Sequence, residues 1–235
     1  NSVLEDLYLP FKPKRRTKAQ IAREQGLEPL ATLLLMQREQ NPMAASKRFV
    51  KDDVQDEEAA LQGAKDIIAE MVSEDQQARN TVRNAYKREA MISSRVIKKV
   101  EDTDEAQKFS DYFDFFEPLR RCNSHRLLAM RRGEAAGILR VSISIDGEEC
   151  IDRLNRHFVH GRGACQTLVA EAVEDSFKRL INPSIENEFA GLSKERADEE
   201  AIKVFTENLR QLLLSAPLGQ KRVLALDPGF ANGCK

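Results

Sequence analysis

The sequence has no surplus of charge of either sign. Its 37 lysines and arginines stand against 38 aspartates and glutamates in 235 residues, so no overall field draws the chain to phosphate or to an anionic membrane. Any attraction to nucleic acid has to be local. Also missing is an uninterrupted apolar run of the roughly 18 to 20 residues that a membrane span needs. Asn1 is followed by Glu5 and Asp6 rather than by a secretory signal pattern, and the reading is a cytoplasmic chain with no membrane partner. The cysteines Cys122, Cys150, Cys165 and Cys234 form no CxxC pair, and a chain of this length buries a core without disulfide staples. They read as reduced structural thiols, with no metal site and no cofactor. No repeat and no low-complexity tract is present.

What the sequence does have is a concentrated basic segment near its start. Lys12, Lys14, Arg15, Arg16 and Lys18 lie around Pro13, which keeps the backbone off a helical path. Thr17 is placed to cap the helix that follows, and Gly26 to end it in the left-handed conformation. Residues 17–37 therefore resemble a helix-turn-helix pair. The second helix, LEPLATLLLM, offers leucines where a DNA-reading helix shows Arg, Asn or Gln, so it points to burial or to a protein contact. The nearest carboxylates in sequence, Asp6 and Glu24, lie too far along the chain to neutralise the whole segment. It is the candidate phosphate contact, made without base readout because no run of aromatics is interleaved with it.

Further along, Asp56 caps a long helix predicted to reach Tyr86, with Leu61, Ala64, Ile67, Ile68, Met71 and Val72 as its buried stripe. Met91–Val100 and Ile138–Ile145 read as two pairing strands. Between them Ser124 is expected to cap a helix that Gly133 ends. Cys150–Phe158, Cys165–Leu180 and Leu192–Leu214 have helical periodicity, and Val223–Leu226 reads as a strand before an Asp-Pro-Gly turn. The fold class is mainly α, with a small α/β part at about 91–146 and an orphan C-terminal strand. Both ends read as cut from a longer chain.

Chemistry-bearing residues are few. His157 and His160 are three apart but lack companion ligands at zinc spacing. Ser124 beside His125 is better explained by capping than by a dyad. Arg120, Arg121, Arg126, Arg131 and Arg132 follow Asp111, Asp114 and Glu117 closely, which favours internal ion pairs. Asp227 sits where an RNase H-like sheet places a metal-binding acid, but one acid cannot hold the two cations of phosphodiester hydrolysis.

Three blocks, LEDLYLPFKPKRRTKAQIAREQGLEPLA, FSDYFDFFEPLRRCNSHRLLAMRRGEAAGIL and AIKVFTENLRQLLLSAPLGQKRVLALDPGF, resemble the Tex family of bacterial transcription accessory proteins, in the same order and at similar separations. The resemblance implies a nucleic-acid-binding, non-enzymatic protein that acts in transcription or RNA metabolism; RNA polymerase and the ribosome enter as the candidate partners of a docking surface. It implies a helical region over 1–219 and the start of a YqgF-type RNase H-like domain over 220–235, so that Asp227 matches the position of a catalytic acid without implying activity. Ala231 stands where the family usually carries a basic residue. A segment of a metal-dependent nuclease and a protein-docking module built on Leu27–Met36 are the alternative readings.

Overall fold

Side-chain caps set many of the helix starts. The computed structural model describes residues 2–12, 16–51, 53–217, 219–226, 228–229 and 233–234. In it the side chains of Thr17, Asn41, Asp56, Asp75, Thr103 and Asp146 each accept the backbone N–H of the third residue on. Each bond satisfies a donor that the first helical turn leaves free. The helices are α1 (Ser2–Tyr8), α2 (Lys18–Glu24), α3 (Glu28–Met36), α4 (Pro42–Ser46), α5 (Glu57–Glu74), α6 (Gln76–Glu89), α7 (Asp104–Gln107), α8 (Ser124–Ala135), α9 (Gly147–Phe158), α10 (Ala164–Asp175) and α11 (Asn182–Leu213). The strands are β1 (Met91–Val96), β2 (Asp114–Pro118) and β3 (Leu139–Ser144), beside a two-residue ladder of β4 (Pro228–Gly229) and β5 (Gly233–Cys234). The fold is mainly helical with a small three-stranded sheet.

Helix α5 runs through the middle of the core. Its Ala60, Leu61, Ala64, Ile67, Ile68 and Val72 are buried, whereas Met71, placed in the same stripe by sequence, is exposed. In the last turn the packing moves round the helix and takes Ala69, Glu70 and Ser73 instead. Small residues bring α2 against α5: a Cβ on Gly63 would lie 2.4 Å from Leu27 Cδ1 and 3.2 Å from the Ala22 Cβ. Leu27, Leu30 and Leu34 are fully buried. The leucine-rich face is thus consumed inside the fold and is not the docking surface that sequence allowed.

The sheet has the order β2-β1-β3 with both pairings antiparallel. Strands β2 and β3 therefore run parallel on either side of β1, joined through α8, a split β-α-β arrangement. The expected pairing of β1 with β3 is present and sets Ile92 opposite Ile143. Ile92, Ser94, Leu139, Val141 and Ile143 point into the core. The free edge of β3 is covered where Glu186 of α11 accepts the Ile143 backbone N–H at 3.2 Å, which removes a site for unwanted strand addition.

Several boundaries differ from the sequence reading. The helix predicted over Asp56–Tyr86 is two, because Asp75 is extended and caps α6. Ser124 does not cap α8; Asn123 takes the capping position without a side-chain bond, and the Ser124 hydroxyl donates to Glu200. Gly133 lies inside α8, where a Cβ would meet Leu139 Cδ1 at 2.6 Å, and the chain turns instead at Gly137, with φ of 70°. Helices α10 and α11 are one rod joined by the π-helical segment Ser176–Ile181. There the Asn182 N–H bonds five residues back to Phe177 O, which widens the ladder just before Pro183, a residue with no N–H to give. The expected strand at Val223–Leu226 has no strand pairing, since no neighbouring strand meets it among the described residues. Strand β2 was missed: its Asp-Phe-Phe-Glu-Pro sequence breaks the alternation that marks a strand.

Placing a charge at Ile143 tests the register. Ile143→Lys is expected to destabilise the fold by about 2 to 5 kcal/mol, because the ammonium has no partner in the core. Thermal or urea unfolding reads the change, and an unaltered midpoint would place this side chain on the outer face.

Candidate nucleic-acid interface

The basic segment leaves α1 and enters α2, and each helix is tied to the core through a carboxylate. Asp6 of α1 is buried at 4% exposure, as are Arg79 and Arg83 of α6 at 7% and 4%. Arg79 Nε donates to Asp6 Oδ1 at 2.6 Å, and Arg83 Nη1 donates to Asp6 Oδ2 at 2.7 Å. Arg83 Nε also donates to Glu188 of α11 at 2.9 Å, and Arg79 Nη2 to Ser184 Oγ at 3.2 Å. Two guanidinium groups and two carboxylates thus balance inside the protein. Burial pushes the Asp6 carboxyl up, but the hydrogen bonds and charges of Arg83 and Arg79 outweigh it and hold the group below its ordinary value. The hydrogen bond with Asp6 likewise raises the pKa of Arg83, against the effect of burial.

At the other end, Thr17 does two things. Its Oγ1 accepts the Gln20 N–H at 3.0 Å, as the sequence predicts, and donates to Glu70 Oε2 of α5 at 2.9 Å. Arg23 Nη1 donates to Glu70 Oε1 at 2.6 Å. The first turn of α2 is thereby fixed on α5. Sequence reasoning missed Glu70 and Asp66, acids from α5 that approach α2 in space; burial raises the Asp66 carboxyl, and the charges of Arg179 and Lys18 oppose that rise. Asp6, counted in sequence as a neighbour of the basic segment, is turned into the core.

Of the predicted contact residues, Lys14 and Arg15 lie outside the described residues, as do Pro13 and Asp227. Lys12 and Lys18 are exposed, with no carboxylate within ion-pair distance among the described residues. Arg16 pairs with Glu24 at 2.6 Å, but the two side chains are 67% and 48% exposed, and such a pair contributes little. The exposed positions of α3, Glu28, Pro29, Thr32 and Met36, include no cation, so α3 has nothing with which to read a major groove.

The other candidates resolve locally. In the second arginine cluster, Arg126 pairs with Glu117 at 3.1 Å and Arg131 with Glu134 at 2.7 Å. His157 ends up edge-on to Phe158, the last residue of α9, and His160 lies beyond the helix with its backbone N–H on Gln37; the two imidazoles do not share a helical face. Cys122, Cys150 and Cys165 are free thiols, and burial pushes Cys122 up to about 12 and Cys150 up to about 11. Among the described residues no group of three or more His, Cys, Asp or Glu could hold a metal ion, and no helix is long and apolar enough to cross a membrane.

Residues 37–205 match the family described as Tex central region-like. The chain belongs to the Tex family. Across all of its length it is 41% identical to the transcriptional accessory protein Tex of Neisseria gonorrhoeae, and across 99% it is 38% identical to the protein tex of Bordetella pertussis. The human S1 RNA-binding domain-containing protein 1 is 34% identical over 99% of the chain. The chain spans 31% of the two bacterial Tex proteins and 24% of the human relative.

In this Tex-family chain, removing the charge of Asp6 leaves Arg79 and Arg83 buried without it. Asp6→Asn is expected to cost about 3 to 5 kcal/mol at neutral pH. Because the folded carboxyl titrates below the unfolded value of about 3.9, its contribution is full above that value and is lost as pH falls through the folded one. Below about pH 4 the parent chain should therefore lose stability more steeply than Asp6→Asn. Urea midpoints at pH 7 and pH 3 measure both effects; equal midpoints for the two proteins at pH 7 would contradict them.

Proposed function

We propose that this chain is a non-catalytic, nucleic-acid-binding part of a cytoplasmic transcription accessory protein, and that the basic segment Lys12–Lys18 contacts phosphate backbones without sequence preference. RNA polymerase or the ribosome is the machinery it would serve, and residues 220–235 would begin an RNase H-like unit. The family supports the setting: one relative is named a transcriptional accessory protein and another an S1 RNA-binding domain-containing protein. The observation that carries the site is the state of its charges. Lys12 faces solvent with no carboxylate within ion-pair distance among the described residues, Lys18 is exposed with Asp66 as its electrostatic neighbour, Arg16 has only an exposed partner, and both flanking helices are bonded to buried carboxylates. A cationic segment fixed at both ends loses little chain entropy on meeting an anion.

Binding of this kind releases counterions and weakens with salt, with a log–log slope of about 0.7 to 0.9 for each phosphate neutralised. Arg15→Ala/Arg16→Ala should weaken binding to single strands and duplex alike and lower the slope by about 1 to 2 units. Fluorescence anisotropy across a salt series measures it. Parental affinity and slope in the double variant would reduce the segment to a connector.

A further inference from the structure

The inner face of the three-stranded sheet belongs to the core, and its outer face carries a pattern that packing does not explain. Cα partners place Arg140, Arg95 and Asp114 in one row across β3, β1 and β2, and Ser142, Ser93 and Phe116 in the next row on the same face. Neighbouring strands lie about 4.8 Å apart and rows on one face about 7 Å apart. Arg95, Arg140 and Asp114 are exposed, and Phe116 is 66% exposed. The hydroxyls of Ser93 and Ser142 bond to each other at 2.9 Å.

Two arginines directly opposite each other destabilise a sheet, and neither has a carboxylate within ion-pair distance among the described residues, Asp114 included. An anion between them would remove that repulsion. A ring two-thirds exposed in a strand supplies nothing to the core, but it offers a flat apolar surface one row from the guanidinium pair. Phosphate and an unpaired base are the groups that these two features fit together. A duplex keeps its bases stacked within it and would leave the ring unused. An acidic peptide would use the arginines but not the ring.

We infer that the outer face of the sheet is a platform for single-stranded nucleic acid, on which a base stacks against Phe116 while Arg95 and Arg140 hold the adjoining phosphate and the Ser93–Ser142 hydroxyls face the sugar. This rests on the reading that the chain binds nucleic acid, and it names a second surface with a different mode of contact. Asp114 bounds the positive part of the face on the β2 side.

The test uses the 235-residue chain with labelled oligo(U), oligo(dT) and a duplex of equal length. Phe116→Ala removes an exposed ring and should weaken binding to both single strands about tenfold, the loss of one stacked base, with the duplex and the salt slope unchanged. Arg95→Ala/Arg140→Ala should weaken single-strand binding and lower its slope by about 1 to 2 units. Asp114→Asn should tighten it. Circular dichroism confirms that each variant is folded. Parental affinity of Phe116→Ala for both single strands overturns the platform even if the Arg15/Arg16 variant behaves as expected. Displacement of oligo(U) by an oligoglutamate of equal charge as effectively as by unlabelled oligo(U) also overturns it, since charge alone would then account for binding. If the parent chain binds neither single strand nor duplex, the broader functional reading fails with it.

Discussion

The carboxylate of Asp6 between Arg79 and Arg83 is the constraint on which the arrangement of the helices depends. A buried ion pair is costly to desolvate and stable only when its members satisfy one another. Here Asp6 takes three guanidinium hydrogen bonds, and Glu188 and Ser184 receive further donors of the same two arginines. Three helices distant in sequence, α1, α6 and α11, can therefore meet only in one relative position. Tyr86, one turn along from Arg83, continues the contact: its hydroxyl donates to Asn182 and its ring lies against Phe189.

That position decides what remains outside. With α1 bonded to α6 and α2 bonded to Glu70 of α5, Lys12 and Arg16 between them are left exposed. With α8 and α11 on the inner side of the sheet, the Arg95, Arg140 and Phe116 face is left open. Helix α11 also leaves the core: Ala197 is buried, whereas Ile202, Phe205 and Leu212 beyond it are exposed. The helix runs unbroken from Ala164 to Leu213, and its π-helical segment ends at Ile181, two residues before Pro183.

The parts of this fold legible in sequence are those set by neighbours in the chain. Thr17 and Asp56 announce their helices because a cap acts over three residues, β1 shows itself by its β-branched residues and β3 by alternation. Asp6 does not announce itself, since its partners lie 73 and 77 residues away and nothing local distinguishes a carboxylate bound for the core from one bound for solvent. The same holds for Glu70, 53 residues from Thr17. Ser124 misled because a serine at a helix start is usually a cap, and here a long-range acceptor, Glu200, competes for its hydroxyl. Of the candidate site, the basic segment was legible as a run of charge, whereas the arginine pair of the sheet was not. It exists only through the register that places Arg95 opposite Arg140.

Whether and where nucleic acid contacts this chain is the central question, and photo-crosslinking answers it most directly. Oligo(U) carrying 4-thiouridine, crosslinked to the chain and mapped by mass spectrometry, should label peptides spanning residues 9–23 and peptides containing β2 or the facing segments of β1 and β3. Labelling confined to the exposed end of α11, or spread evenly over the surface, would contradict the account.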